Sequence, residues 1–136
     1  MIFVDTSYLV ALARPTDGLH EAAMAWSTVT SGPLVMTEFV LLEFVNLLST
    51  PRQRARAHTA LGSIYADHEI RVVPATGDWF RRGLKLHAER PDKFWSLTDC
   101  ISFEVMREVH ATDALTYDQD FEQAGFRALL RETPPV

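Results

Sequence analysis

Short apolar runs alternating with helical segments constrain the fold of this chain more than any other feature. "MIFVD" opens it, with residues 2–4 as a buried-type strand ending in Asp5. "LVMT", "IRVVP" and "ATDALTYD" repeat the pattern, and "FRALL" offers a fifth, weaker strand. Between them the apolar residues recur at helical spacing. "TSYLVALAR" is a short helix stopped by Pro15, and "GLHEAAMAWSTVT" is a second, ended by "SGP". "EFVLLEFVNLLS" is apolar almost all round and should be buried on most sides. Pro51 suits the first turn of the next helix, which runs to about Asp67. Residues 76–90 are amphipathic, "LTDCISFEVMREV" is a further helix, and "DFEQAG" is a short helical turn. Strands alternating with helices predict βαβ units. The expected fold is α/β, three-layer α/β/α, with a mainly parallel sheet of four to five strands. No Gly/Ser-rich linker interrupts it. Residues 1–132 read as one domain and 133–136 as a tail.

The 136 residues are enough for a core, and 47% apolar against 23% charged content reads as globular. No apolar stretch is long enough to cross a bilayer, and residues 2–13 lack the basic flank of a signal peptide. Cys100 is the only cysteine, which fits a reducing cytoplasm. A formal charge of -5 gives the chain no global attraction for nucleic acid. Any such binding needs local basic patches or metal ions.

Four acids occupy awkward places. Sites in open parallel sheets form beyond the carboxyl ends of the strands, and Asp5 and Asp118 both fall there. Glu43 sits among Leu41, Leu42, Phe44 and Val45, where an unpaired charge is costly. Asn46, three residues on, gives that helix a polar strip. Asp99 starts a greasy helix, and "SLTD" has the form of a capping box with Ser96 as the N-cap. Capping and site membership are compatible for Asp99. Asp5 has a capping alternative, Glu43 a partner-arginine one, and Asp118 and Asp120 an Asx-turn one. Converging carboxylates repel, and a cation makes the arrangement tolerable. With no His/Cys cluster, oxygen ligands point to Mg²⁺ or Mn²⁺ rather than zinc. Such ions neutralise phosphoryl charge and activate water, so phosphodiester hydrolysis is the chemistry expected.

"IFVDTS", "TEFVLLEFVNLL", "SLTDCISFEVM" and "ALTYDQDFEQAGF" together resemble the PIN-domain nucleases, specifically the VapC-type toxins of toxin–antitoxin pairs. The resemblance spans nearly the whole chain. It implies a metal-dependent endoribonuclease, silenced by a cognate antitoxin and usually dimeric. It implies Asp5, Glu43, Asp99 and Asp118 as the catalytic, metal-binding acids, with Asp120 secondary. Thr6, Asn46 and Thr116 become their polar supports. RNA, with tRNA or rRNA as candidates, is the implied substrate. Two alternatives stay open: a housekeeping PIN ribonuclease without antitoxin, and a non-catalytic RNA- or protein-binding module. A phosphoacceptor receiver fits less well, because no lysine follows "ALTYD". Arg52, Arg54 and Arg56, and Arg81, Arg82 and Lys85, form two basic groups that either steer RNA or are solvated helix faces. Of the tryptophans, Trp95 is the best placed to touch substrate, being just ahead of Asp99; packing is the simpler reading of Trp26 and Trp79.

Overall fold

The computed structural model describes residues 1–136. Five strands form one sheet: β1 (Ile2–Val4), β2 (Leu34–Thr37), β3 (Ile70–Val73), β4 (Asp113–Leu115) and β5 (Arg127–Ala128). Their order is β3-β2-β1-β4-β5, and every pairing is parallel. The α/β expectation holds, and the sheet is wholly parallel. The "FRALL" strand is shorter than its sequence suggests. Only Arg127 and Ala128 pair with β4, and Leu129–Arg131 turn into a 3-10 helix that buries Leu129 and Leu130.

Helices fill the connections: α1 (Thr6–Ala13), α2 (His20–Val29), α3 (Glu38–Leu47), α4 (Pro51–Ala66), α5 (Gly77–Glu89), α6 (Leu97–Glu108) and α7 (Gln119–Gln123). Right-handed crossovers fix their sides. The chain steps outward from β1 to β2 to β3, which puts α1 to α4 on one face. It then jumps back past β1 to β4 and β5, which puts α5 to α7 on the other. The contacts agree, with α1, α3 and α4 packing together and α5 packing on α6. β1 is the strand at which the winding reverses, and a crevice opens beyond the carboxyl end of such a strand. The core on both faces of this centre is dry: Phe3, Val35, Phe44, Phe103, Leu115 and Phe121 are essentially inaccessible.

α6 buries more residues than any other helix, among them Cys100, Ile101, Phe103, Val105 and Met106. Its approach to α5 is close because Gly83 carries no side chain. A Cβ there would lie 2.3 Å from Ile101 Cγ1. At the far end of α6 the chain reverses through His110, whose φ of 57° is left-handed. The Ala111 N–H then reaches back to the Met106 carbonyl at 2.9 Å. Gly125 makes the matching turn after α7 at φ 97°, with Phe126 N–H on the Phe121 carbonyl at 3.0 Å. Glycine suits such a position; histidine is strained in it.

Two stability outcomes follow. Gly83→Ala should lower stability by about 1–2 kcal/mol, because overpacking against Ile101 outweighs the helix-propensity gain of alanine. His110→Gly should raise it by about 0.5–1 kcal/mol. Denaturant titration of each variant against the parent protein checks both signs.

Candidate active site

Asp5 is the first residue past β1, at the middle of the sheet, and it is 6% exposed. It precedes α1, yet its side chain makes no cap bond to that helix. Instead Thr116, just past β4, donates its hydroxyl to Asp5 Oδ2 at 2.8 Å, and Ser7 donates to the same oxygen at 3.2 Å. The strand pairing makes this possible: Val4 sits opposite Leu115, and the Asp5 N–H bonds the Leu115 carbonyl at 3.2 Å.

Asp99 stands in the first turn of α6. Ser96 and Asp99 form the reciprocal capping box: Asp99 N–H donates to Ser96 Oγ at 3.0 Å, and Ser96 N–H donates to Asp99 Oδ2 at 3.2 Å. Asp118 is the N-cap of α7, where its Oδ1 accepts the Asp120 N–H at 2.8 Å. The capping and Asx-turn readings of these two acids are therefore real, and they coexist with a shared location. Asp5, Glu43, Asp99 and Asp118 line one cleft of about 410 Å³ at the carboxyl edge of the sheet. Oxygens of Asp99, Asp118 and Asp120 all lie within 4.8 Å of one another. Asp120 thus joins the cluster through Asp99 and Asp118.

The electrostatics match this crowding. Burial pushes the Asp5 carboxyl up to about 6, against the lowering effect of the Thr116 bond; Glu43 and Asp118 add to the rise. Burial also raises Asp99 to about 7, with the charges of Asp5 and Asp118 contributing. Asp120 is raised too, by burial first and then by Asp118. No lysine or arginine pairs with Asp5, Glu43, Asp99 or Asp118. The cleft thus gathers carboxylates with no cationic side chain among its lining residues.

Thr6 lines the cleft, is 4% exposed, and its hydroxyl has no partner. That orphaned hydroxyl and the all-oxygen donor set fit a hard divalent cation such as Mg²⁺ or Mn²⁺. Thr116 belongs to the site through Asp5. Asn46 does not line it: the side chain is exposed, because three residues turn an α-helix by about 300° and leave it to one side of Glu43. Leu47, one full turn from Glu43, lines the cleft instead.

Three contributors escaped the reading of the sequence. Ser7 shares Asp5 Oδ2 and also meets Thr116 Oγ1 at 3.3 Å. Its signal was present in "VDTS", two residues after Asp5. Ser96 lines the cleft besides capping α6. Asp17 reaches the cleft from the α1–α2 loop, where "PTDG" reads only as a turn. Trp95 is a correction. It is 4% exposed, packed edge-on against Phe103 at 5.0 Å, with its indole N–H on Gln123 at 3.2 Å, so it offers no face to a substrate. Trp26 is likewise buried. Arg82 pairs with Glu104 and Glu108, and Arg56 bonds the Ala13 carbonyl, so neither basic group is wholly free.

The raised acids set a pH dependence. Their folded-state values lie above those of the unfolded chain, so the folded state holds protons more tightly between about pH 4 and pH 7. Their contribution to stability is full below that window and is lost as pH rises through it. The metal-free protein should melt lower at pH 8 than at pH 5. Asp99→Asn should recover on the order of 1–2 kcal/mol at pH 8, about 4–8 °C in melting temperature, and should gain little at pH 5. Thermal melts in chelator at both pH values check this.

Comparison with known proteins places the chain in a family. The PIN domain model matches residues 2–127. The chain is 33% identical over 127 residues to the 23S rRNA-specific endonuclease VapC20 of Mycobacterium tuberculosis, covering 93% of this chain and 95% of that protein. The crystal structure of that VapC20, described as a Sarcin-Ricin loop cleaving toxin, superposes with a TM-score of 0.83 at 31% identity, over 93% of this chain and 96% of the other. With its parallel sheet, its acid-lined carboxyl edge and these likenesses along nearly its whole length, the chain belongs to the PIN-domain family, in the branch of the VapC-type toxins.

Proposed function

We propose that this chain is a divalent-metal-dependent endoribonuclease acting as a VapC-type toxin, with large-subunit ribosomal RNA as its substrate. One observation carries the reading of activity: four carboxylates from β1, α3, α6 and the β4–α7 turn line one cleft with no cationic side chain paired to them. The choice of ribosomal RNA rests on the likeness to VapC20, which is named for 23S rRNA.

Asp99, Asp118 and Asp120 would hold Mg²⁺ or Mn²⁺, with Asp5 and Glu43 completing the acidic set. When bound, the ion supplies charge neutralisation at the phosphate and activation of water for in-line hydrolysis. The chain's own groups prepare the site. Thr116 and Ser7 hydroxyls favour the charged form of Asp5, which burial opposes. The Ser96 N–H holds Asp99 in place from the start of α6. The Thr6 hydroxyl, buried without a partner, is available to orient a water in the cleft.

As such a toxin, the chain would form a homodimer and be silenced by a cognate antitoxin. A groove between α1, α3 and α4, lined by Leu9, Leu12, Phe44, Ala60 and Ile64, offers an apolar trough for an amphipathic helix of the antitoxin. No helix of the chain is long and apolar enough to cross a membrane.

Purified protein free of partner should cut an RNA hairpin carrying the sarcin-ricin loop into discrete fragments with Mg²⁺ or Mn²⁺. Chelator should abolish cutting, and Asp99→Asn should slow it by about 100-fold or more. Folded protein that binds the hairpin without cutting it would favour a non-catalytic module. Cutting that survives both chelator and Asp99→Asn would overturn the assignment of the site.

A further inference from the structure

Apart from the terminal Val136, one large apolar side chain stands entirely in water. Phe94 is 99% exposed, whereas its neighbour Trp95 is 4% exposed. Both lie in the segment between α5 and α6 that leads into the capping box. The segment is pinned rather than loose. Trp95 is wedged against Phe103 and bonded to Gln123 of α7. The Arg90 guanidinium lies over the Trp95 ring at 5.1 Å and grips Asp92 through two bonds of 3.0 Å. Lys93 N–H closes onto the Arg90 carbonyl at 3.2 Å, and the Lys93 ammonium sits 5.9 Å from the Trp95 ring centre. Burying Trp95 leaves Phe94, the residue before it, held out from the surface.

The position of that ring gives it a use. Ser96, two residues on, lines the acid cleft, and Asp99 is one turn further. Trp95, next to Phe94, bonds Gln123 of α7, the helix that Asp118 caps and that carries Asp120 in its first turn. The segment therefore reaches the edge of the acid cleft at Ser96, with a lysine and a fully exposed aromatic residue consecutive in the chain just ahead of it. A nucleobase flanked by its phosphate matches that pair: the ring takes the base and the ammonium takes the phosphate. A paired base is already stacked inside its helix, so only an unpaired one is free to use the ring.

We propose that Phe94 is a substrate-binding platform on which an unpaired base next to the scissile phosphate stacks, with Lys93 contacting the neighbouring phosphate. The inference rests on the ribonuclease reading above and adds a residue to it. It also gives a basis for preferring loops over duplex RNA.

The test uses the full chain and the sarcin-ricin hairpin, in unlabelled form and with 2-aminopurine at its unpaired positions. Phe94→Ala should raise KM about tenfold on the hairpin, with the loss in KM rather than in kcat. Phe94→Trp should restore binding, while Phe94→Leu, similar in apolar bulk but without a ring, should behave like alanine. Melting temperature should not move, because the ring packs against nothing. Wild-type protein should quench 2-aminopurine at one or more positions, and Phe94→Ala should not. A KM within twofold of wild type in Phe94→Ala would overturn the platform, as would full rescue by leucine. A change in sedimentation coefficient in Phe94→Ala would overturn it in favour of a second copy covering the ring. If wild-type protein cuts no RNA with any divalent ion, the nuclease reading fails by itself. The quenching measurement then decides the stacking separately.

Discussion

Burial of Asp5 at the carboxyl end of the central strand is the constraint to which the rest of the molecule responds. A carboxylate in that position loses most of its hydration, and three more acids stand close by. Hydrophobic packing supplies the force that keeps them there. Phe3 and Val4 anchor β1, Leu115 anchors β4, and the packed face of α6 carries Asp99 to the same edge. The sheet thus holds its acids against their own repulsion. The opposing energy appears as raised proton affinity at Asp5 and Asp99 rather than as distorted backbone: no non-glycine residue of the cleft has a positive φ. This is a common arrangement for a site that is meant to receive charge, where some stability is given up to preorganise ligands.

Much of this was legible in the chain before folding was considered. Runs such as "MIFVD" and "LVMT" announce buried parallel strands because both faces of such strands are covered. Asp5 and Asp118 are readable because strand ends are fixed points in a doubly wound sheet. Asp99 is readable because a capping box has a local signature, and here both of its hydrogen bonds form. β5 was overstated because Leu129 and Leu130 are buried through a 3-10 turn, which apolar content alone does not separate from a strand.

The misses share a physical cause. Asn46 and Leu47 differ by one residue, and only the rotation of α3 on the sheet decides which of them meets the cleft. That rotation is set by the packing of α3 against α1 and α4, which the residues of α3 alone do not state. Ser7 meets Thr116 across 109 positions, so no local pattern joins them. Trp95 and Phe94 are the sharpest case. Both are large aromatics beside the capping box, and composition ranks the tryptophan as the better stacking residue. The packing of α6 against α7 takes Trp95 inward, and adjacency then turns Phe94 outward. Solvent exposure of one side chain was decided by burial of the next.

The capping box between Ser96 and Asp99 has a mechanical consequence. Ser96 belongs to the segment that carries Phe94, and its backbone N–H is tied to the same carboxyl group that faces the other acids. The segment and the acid cleft are therefore linked by the two reciprocal hydrogen bonds of a helix end, not by a flexible tether. A displacement of Ser96 would therefore change a hydrogen bond to Asp99 directly. Conversely, any change in the charge on Asp99 alters the strength of that acceptor and so the stiffness of the segment. The exposed ring and the clustered carboxylates of this chain are thus only a few residues apart along one hydrogen-bonded helix end.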